Sequence, residues 1–464
     1  METLQRTANR GSISTGFDID NSLKLEEDNT EYLHYTPSSQ TDYERLTFSL
    51  WIKRTEIGLA KLAEFGNGSA NTNNLRIGFD TSDRLYIYGN SIVWRESTQV
   101  FRDTSAWYHL FFKFDTTQGT SNDKIRVWVN GNMIAHTDYN TVNNPSSGSA
   151  MGFNTTLPQS IGTQQEGGVN ASSNFNGYIA QVWYSGGTPP NVTDFGEVDS
   201  DSGIWKPIDI SEVSIPDASG FFLDFSDSSD LGNDSSSNNN NFTLNNITSA
   251  DQATDTPTNT FCTLNQAAFT LTDATISQGA TSFFNTLSDT RTAVATMAVT
   301  KGKWYFEYKF ISSGGSTYWP AIGFTNAEST SSSLSAGSDS DSSVLLLPNG
   351  TPYENGTIGS SNYSFFGAND IAGVALDVDN GNMYLYKNGT IQNSGNPIFT
   401  SIGDFIMPLG TTYQNGCGGY FNFGGFTSYT PASPASDENG YGTFEYAPPS
   451  GYYALCTKNL AEYG

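Results

Sequence analysis

Two Asn-Gly pairs constrain this chain more than any other feature, because each interrupts a run of alternating residues. The runs are IRVWVNGNMI at residues 125–134 and MYLYKNGTIQ at residues 383–392. Asn-Gly at such a place predicts a two-residue hairpin, since a type I′ turn needs positive φ at both central residues. The turn fixes the register, so the aliphatic residues three and five positions before each Asn must share the core face. Trp128 and Tyr386, two positions before the Asn, then lie on the other face or under a loop.

Short alternating segments that end in Gly, Asn or Asp fill much of the remaining chain. Examples are LTFSLWIKR, RLYIYGN and AWYHLFFKFD in the first half, and GKWYFEYKF, WPAIGFTN and DIAGVALDVD in the second. None sustains a helical period, and many short strands with regular turn signals are typical of sandwiches and jelly rolls. The sequence therefore predicts an all-β protein built from antiparallel β-sandwich domains.

A length of 464 residues favours two or three domains. The segment 188–261 differs in character, since it is turn-rich and contains LGNDSSSNNNN. Such a segment is typical of a disordered linker, but GFFLDFSD and NFTLNNIT flank the Asn run and resemble strands. We expect a jelly-roll domain with an N-terminal arm at 1–187, an ordered bridge at 188–261 that packs partly on it, and a second sandwich at 262–464.

The charge balance disfavours several partners. With 47 acidic and 21 basic residues the net charge is −26, which repels phosphate backbones and anionic lipid surfaces. No apolar run approaches the ~18–20 residues of a membrane span, and the N-terminal residues show no secretory pattern. Three cysteines in no metal-type spacing fit a chain made in a reducing cytosol. We expect neither nucleic-acid binding nor membrane insertion.

The surroundings of the two hairpins differ, which argues against a duplicated domain. The first lies among LTFSLWIKR, AWYHLFFKFD and FNGYIAQVWYSG, in an order that resembles the laminin G-like, or concanavalin-like, jelly-roll family. The second lies among GKWYFEYKF, AIGF, IAGVALDVDNGNMYLYKNG, FIMPLG and YFNFG, and this order resembles a SPRY domain, which is also a two-sheet sandwich. The resemblance thus implies two different sandwiches with a boundary near Cys262.

The pairing of these two modules is similar to virion-associated proteins of tailed bacteriophages, particularly marine ones. GSISTGFDIDNSLKLEED, LDFSDSSDLGND, TDTPTN and PPSGYYALCTKNL contribute to this resemblance. It implies a structural or host-contacting particle protein, made in the host cytoplasm and released by lysis. The implied partners are other virion proteins and a host-surface glycan or receptor, and a homo-oligomer, with a trimer favoured, is expected for a tail appendage.

Catalytic patterns are weak. Some concanavalin-like proteins hydrolyse glycosidic bonds, for which two carboxylates must lie about 5–10 Å apart across a cleft. No strand carries E-x-D-x-x-E, and the acidic clusters EVDSDSG and LDVDNG lie at turns. The histidines have no neighbouring nucleophile, and we expect His109, in WYHLFF, to be a packed structural residue. The chain is therefore predicted not to be an enzyme.

Ligand-binding residues can be suggested only by type. Exposed aromatics stack on sugar faces, and the loops of the second half offer Trp319, Tyr353, Tyr363 and Tyr413, although packing against the core is the more frequent role of such residues. No cofactor is expected. Calcium is a minor alternative for which Asp18, Asp20, Asp199 and Asp201 supply oxygen atoms, although solvated acids are common in an acidic protein.

Three functions are compatible with these observations. The first is a tail fibre or appendage protein on the particle exterior that binds host-surface glycan or protein without turnover. The second is an architectural protein that decorates or cements the capsid, or joins tail parts. The third, less favoured, is a depolymerase of surface glycan.

Overall fold

The computed structural model describes residues 16–66, 74–164, 174–187, 190–268, 273–316, 319–326, 342–354, 357–359, 363 and 365–464. The chain divides into two compact units at Thr258 and Asn259, which we call the first unit and the second unit. Regular structure is almost entirely β, and antiparallel sheets in both units confirm the predicted fold class. No helix in the described ranges is long and apolar enough to cross a membrane.

The first unit is made of short strands. They are β1 (Ser22–Leu25), β2 (Tyr32–Tyr35), β3 (Arg45–Arg54), β4 (Ala60–Gly66), β5 (Asn74–Phe79), β6 (Arg84–Gly89), β7 (Ile92–Val100), β8 (Trp107–Asp115), β9 (Ile125–Val129), β10 (Asn132–Met133), β11 (Tyr139–Val142), β12 (Gln159–Ile161), β13 (Gly177–Ser185), β14 (Gly196–Val198), β15 (Trp205–Pro207), β16 (Phe221–Leu223), β17 (Thr243–Asn245) and β18 (Gln252–Ala253). Short 3-10 helices lie at Ser121–Lys124, His136–Asp138, Val192–Asp194 and Ser249–Asp251.

Two antiparallel sheets enclose the core of the first unit. The first sheet has the order β10-β9-β8-β3-β13-β1-β18, with β16 beside β13, and the second has the order β11-β7-β6-β5-β4-β12-β2-β17. Alternate residues of each strand point inward, as in β9, where Ile125 and Val127 are fully buried in the core. The remaining strands, β14 and β15, form a separate hairpin.

Residues 190–258 belong to the same compact unit as the strands that precede them. The strand-like segments expected in this region are real, since β16 pairs with β13, β17 with β2 and β18 with β1. Phe195, Ile210 and Phe222 also bury themselves on the outer surface of the first sheet, in one cluster with Phe111 and Trp183. Apolar side chains spaced widely along a polar segment are enough to fix it against a sheet.

Two buried ion pairs fasten the same segment to the start of the unit. Lys24 of β1 lies 2.8 Å from Asp251, and Lys53 of β3 lies 2.6 Å from Asp255. Both lysines are at most 1% exposed. Breaking a buried pair by removal of one partner typically costs about 3–5 kcal/mol, so the last residues of the segment are structural parts of the unit.

The second unit also consists of short strands. They are β19 (Ala274–Ser277), β20 (Ser282–Asn285), β21 (Arg291–Val294), β22 (Lys303–Ser313), β23 (Ala321–Thr325), β24 (Ser342–Leu346), β25 (Thr351–Glu354), β26 (Thr357–Ile358), β27 (Ile371–Asp377), β28 (Asn382–Lys387), β29 (Thr390–Ile391), β30 (Phe399–Thr400), β31 (Met407–Thr412), β32 (Cys417–Asn422) and β33 (Tyr453–Ala454). The helices are α1 (Thr457–Tyr463) and 3-10 turns at Gln266–Ala268 and Asn393–Gly395.

The second unit is likewise a two-sheet sandwich. One sheet has the order β19-β20-β32-β22-β27-β28-β29, with β30 beside β28 and β33 beside β22, and the other has the order β21-β31-β23-β24-β25-β26. Trp304, Phe306, Phe421 and their neighbours fill the space between them. The C-terminal segment covers the outside of the larger sheet, where the buried carboxylate of Glu307 accepts backbone N–H groups of that segment.

Both Asn-Gly pairs form hairpins with positive φ at each position, as predicted. The φ values are 48° at Asn130, 75° at Gly131, 48° at Asn388 and 76° at Gly389. In each hairpin the Asn Oδ1 accepts the N–H of a residue on the neighbouring strand at 2.8 Å. The two turns are therefore equivalent in local geometry although they lie in sheets of different order.

An aromatic ring covers the tip of each hairpin. A Cβ added at Gly131 would overlap the indole of Trp205, and one added at Gly389 would overlap the ring of Tyr446. Glycine is therefore required at both tips for close approach as well as for its positive φ. Trp128 and Tyr386 pack against covering clusters outside the sheets, as expected for residues under a loop.

Candidate functional site

The outer surface of the second sheet in the first unit carries an array of polar and aromatic side chains. We call it the polar face. In NLRIGF and RLYIYG the residues alternate, so that Ile77 and Ile87 point into the core and the residues on either side of each point outward. In KLAEFG a β-bulge interrupts the alternation, so that Leu62 and Ala63 both face the core whereas Glu64 points outward. Strand order then brings the outward residues of six strands into one surface.

One row of this face crosses the sheet from β17 to β6. Cross-strand pairing places its members opposite one another in the order Thr243, His34, Ser160, Glu64, Arg76 and Tyr88. Opposed residues on neighbouring strands have Cβ atoms about 4.5–5.5 Å apart. The row therefore aligns hydroxyl, imidazole, carboxylate, guanidinium and phenol groups. Ser160, Glu64 and Arg76 are buried, whereas His34 and Tyr88 are partly exposed.

Glu64 is the electrostatic centre of the row. Its side chain is 1% exposed, and its Oε1 accepts the Nε–H of Arg76 at 2.9 Å and the Nδ2–H of Asn74 at 3.2 Å. The guanidinium of Arg76 also lies over the ring of Tyr88, 5.3 Å from its centroid. A charge-assisted pair with an aromatic lid gives the carboxylate and the ring fixed positions.

Lys61 and Tyr86 form a second contact beside this row. The Nζ of Lys61 hydrogen-bonds the Tyr86 hydroxyl and lies 4.8 Å from its ring centroid. Both residues pair with Gly78 on β5, whose lack of a side chain leaves the space that the lysine crosses. Burial raises the pKa of Tyr86, which keeps the phenol protonated and able to donate.

Two buried polar atoms at this face lack a hydrogen-bond partner among the residues that the structure describes. They are Nδ2 of Asn174, whose residue is 1% exposed, and Nδ1 of His34. Asn174 lies beside Lys61, and its Oδ1 accepts the hydroxyl of Thr163 at 2.5 Å. A buried donor left unpaired costs about 1–3 kcal/mol, so a ligand hydroxyl that accepts from it would be favoured.

The carboxylates of the polar face are poorly placed for hydrolysis of a glycosidic bond. On its described strands the acidic residues are Glu64 on β4 and Glu96 on β7, separated by β5 and β6. Three strand spacings of about 4.8 Å give roughly 14 Å, beyond the range of about 5–10 Å in glycoside hydrolases. The arrangement is chemically suited to hold a polyhydroxylated ligand by hydrogen bonds and ring stacking.

The aromatic residues suggested from sequence lie in the second unit. Trp319, Tyr353 and Tyr363 are partly buried and pack against its core, whereas Tyr413 is 38% exposed. Within the described ranges no ring contact joins any two of them. The polar face was not among the sites predicted from the sequence, although the alternation in β5 and β6 indicates its outward residues.

The acidic residues considered for calcium do not form a shared site. Asp18, Asp20 and Asp201 are exposed. Asp199 instead closes the β14–β15 turn, where its Oδ1 accepts the Ser202 N–H at 2.9 Å, and these hydrogen bonds hold its pKa at about 2. Across the described ranges no group of three or more His, Cys, Asp or Glu side chains is arranged to hold a metal ion.

His109 and the three cysteines are buried. His109 is fully buried, stacks on Trp51 at 4.9 Å and bonds Ser49 and Trp205. Because the indole N–H of Trp205 can only donate, Nδ1 of His109 accepts it, and Nε2–H donates to Ser49. The three cysteines are buried and free.

Comparison with known proteins supports a concanavalin-like first unit. Residues 27–188 match the concanavalin A-like lectin/glucanases superfamily, which confirms the jelly-roll prediction for that stretch. No curated protein matches the sequence significantly.

Solved structures to which the chain is similar include two SPRY domains and a pentraxin. The SPRY domain of human HERC1 is 16% identical, and the match covers 32% of this chain and 89% of that chain with a TM-score of 0.28. The TRIM65 PSpry domain is 11% identical, with coverages of 35% of this chain and 91% of that chain and a TM-score of 0.28. The native heptameric SAP-like pentraxin of Limulus polyphemus is 13% identical, with coverages of 37% of this chain and 80% of that chain and a TM-score of 0.27.

Proposed function

We propose that this chain is a non-enzymatic binding protein of a tailed-phage particle, exposed on its exterior, and that the polar face of the first unit holds a host-surface glycan. The observation that carries the glycan part is the row centred on Glu64, with the unpaired amide of Asn174 beside it. The particle context rests on the sequence resemblance to phage virion proteins. We take the second unit as a SPRY-like module that contacts other virion proteins.

The chemistry of the polar face agrees with this ligand class. Sugars offer hydroxyl groups that both donate and accept, together with apolar ring faces that stack on aromatic side chains. Glu64 and Asn74 are buried and hydrogen-bond each other, and Glu64 fixes the guanidinium of Arg76, whereas Tyr88 supplies a partly exposed ring. A net charge of −26 further favours a neutral ligand over nucleic acid.

Binding can be tested with a panel of bacterial surface polysaccharides and the purified full chain. We expect Tyr88→Ala to weaken binding of the best polysaccharide about tenfold, which corresponds to about 1.4 kcal/mol of lost stacking. The matched control is Tyr413→Ala in the second unit, which should bind like the wild type. No binding to any polysaccharide, or a loss caused by Tyr413→Ala alone, would contradict the proposed site.

Two further measurements separate this function from its rivals. Antibody-labelled electron microscopy of intact particles should locate the chain on a tail appendage. If the chain is a cement protein, the antibody should instead label the capsid surface. Addition of the purified chain to particles without it should then raise their heat resistance. Release of reducing sugar from the bound polysaccharide would show that the chain hydrolyses its ligand and would favour the depolymerase.

A further inference from the structure

Lys24 lies between two buried carboxylates in the first unit. Its Nζ is 2.9 and 2.8 Å from the two oxygens of Glu31 and 2.8 Å from Oδ1 of Asp251. The three side chains are 1%, 2% and 10% exposed, respectively. Leu23 and Leu25 point into the core, so Lys24 points to the outer side of β1, where the segment that leads into β18 covers it.

The cluster holds one cation and two acids away from water. Burial raises the pKa of Glu31 against the opposing effect of Lys24, so this carboxyl is a better proton carrier than a solvated glutamate. Burial lowers the pKa of Lys24, but Glu31 and Asp251 raise it more. Charges enclosed in this way are costly even when paired, and a reaction that removes two of them is correspondingly favoured.

Asp251 is oriented so that its two oxygens have different partners. Oδ1 faces Lys24, whereas Oδ2 accepts the backbone N–H of Thr248 at 2.8 Å and its hydroxyl at 3.1 Å. The acyl carbon therefore lies between an amine on one side and two donors on the other. Donors placed on a carboxyl oxygen stabilise the negative charge that develops there when a nucleophile attacks.

We propose that Lys24 and Asp251 form an intramolecular amide bond, with Glu31 as the proton carrier. Glu31 accepts a proton from the Nζ ammonium, and the neutral amine attacks Cγ of Asp251. The charge that develops on Oδ2 is stabilised by the two donors of Thr248. Glu31 passes two of the three ammonium protons to Oδ1, which leaves as water. Glu31 then carries no extra proton, as at the start.

The atoms and charges of this step balance without a co-reactant. The Nζ–Cγ bond forms and the Cγ–Oδ1 bond breaks, so an ammonium and a carboxylate become one neutral amide and one water molecule. No oxidation occurs. Fixing the amine against the carboxyl replaces a bimolecular encounter, an advantage that reaches about 10⁵–10⁸ M in effective concentration for well-oriented groups. The covalent bond would tie β1 to the end of the first unit.

The chain offers a matched control for this bond. Lys53 and Asp255 form another buried Lys–Asp pair in the same unit, 2.6 Å apart, and the carboxylate also accepts the indole N–H of Trp107 at 3.0 Å. A Lys→Arg substitution at either pair keeps the positive charge but removes the primary amine. Lys24→Arg and Lys53→Arg therefore differ only in which pair loses its nucleophile.

Mass spectrometry of the denatured full chain tests the proposal directly. We expect the wild-type mass to fall short of the sequence mass by one water molecule, and a tryptic digest to yield one branched peptide that joins Lys24 to Asp251. Lys24→Arg and Glu31→Gln should restore the full sequence mass, whereas Lys53→Arg should keep the deficit.

Several results would overturn it. If the wild-type chain has its full sequence mass, the proposal is wrong. This result does not depend on whether the variants fold. A mass deficit of one water molecule with Lys24 and Asp251 in separate peptides would also overturn the proposal. Cyclisation of an aspartate to a succinimide would give that result. A deficit that Lys53→Arg abolishes and Lys24→Arg retains would assign the bond to the other pair.

Discussion

Removal of one aromatic ring from the segment 190–258 should destabilise the whole first unit. Phe195 is 1% exposed on the outer surface of the first sheet, where its ring centroid lies 5.1 Å from that of Trp183 and 5.2 Å from that of Phe111. If the segment is structural, Phe195→Ala removes a buried ring and leaves a cavity among rings that cannot easily collapse into it.

The size of the effect follows from this environment. Transfer of a phenylalanine side chain from water to the interior is worth about 1.5–3 kcal/mol, and the cavity adds to that loss. We therefore expect Phe195→Ala to lower the free energy of unfolding of the first unit by about 3–5 kcal/mol, the usual range for buried Phe→Ala changes. A shift of this size is a large fraction of the ~5–15 kcal/mol that stabilises most domains.

Differential scanning calorimetry of the full chain measures this loss. The transition of the first unit should move to lower temperature, and the transition of the second unit provides an internal reference. Val198→Ala is the matched control, because Val198 lies in the same segment and is 62% exposed. A loss below about 1 kcal/mol for Phe195→Ala would refute the reasoning, since it would place this segment outside the cooperative structure.

Two further predictions concern single side chains. Burial lowers the pKa of His109 from 6.5 to about 3. Between pH 3 and pH 6.5 the unfolded state therefore binds more protons than the folded state. The free energy of unfolding should be at its full value above pH 6.5 and fall by a few kcal/mol as the pH drops toward 3. In acid unfolding monitored by tryptophan fluorescence, His109→Gln should show a shallower pH dependence, and an unchanged slope would contradict the assignment. Asn130→Ala should cost about 1–3 kcal/mol in urea unfolding, because it loses the bond to the His109 N–H and strains the positive φ. Asn132→Ala, at an exposed neighbour, should cost almost nothing, and equal losses would argue against a special role for the turn amide.

Local features of the fold could be predicted from the sequence. The Asn-Gly pairs determine their hairpins through backbone geometry alone, and alternation identifies strands such as β3 and β8 without knowledge of their neighbours. The core faces of β9 and β28 also followed, because a two-residue loop leaves no freedom of register.

The polar face could not be predicted, because it depends on strand order. Glu64, Arg76 and Tyr88 become neighbours only when β4, β5 and β6 pair in register, and Ser160 joins them from a strand far along the chain. Alternation shows that each side chain points outward but not which others lie beside it. The predicted binding residues were instead loop aromatics of the second unit, of which Trp319, Tyr353 and Tyr363 pack against its core.

The attachment of the segment 190–258 could be predicted only in part, for a related reason. Its anchors Phe195, Ile210 and Phe222 are separated by long polar stretches, so no local pattern shows how firmly it binds. Lys24 and Lys53, which hold its end by ion pairs, lie about 200 residues earlier in the chain. The two strand-like stretches predicted an ordered segment, whereas its anchors on the sheet can be seen only in the folded contacts.

The buried pairs of Lys24 and Lys53 have a consequence for synthesis. A ribosome makes the two lysines early and their carboxylates, Asp251 and Asp255, almost at the end of the first unit. Until those acids emerge, Lys24 has Glu31 beside it but lacks Asp251, and Lys53 lacks the carboxylate of Asp255. The first unit must therefore wait as an incomplete nascent chain, open along one surface, while most of its strands already exist.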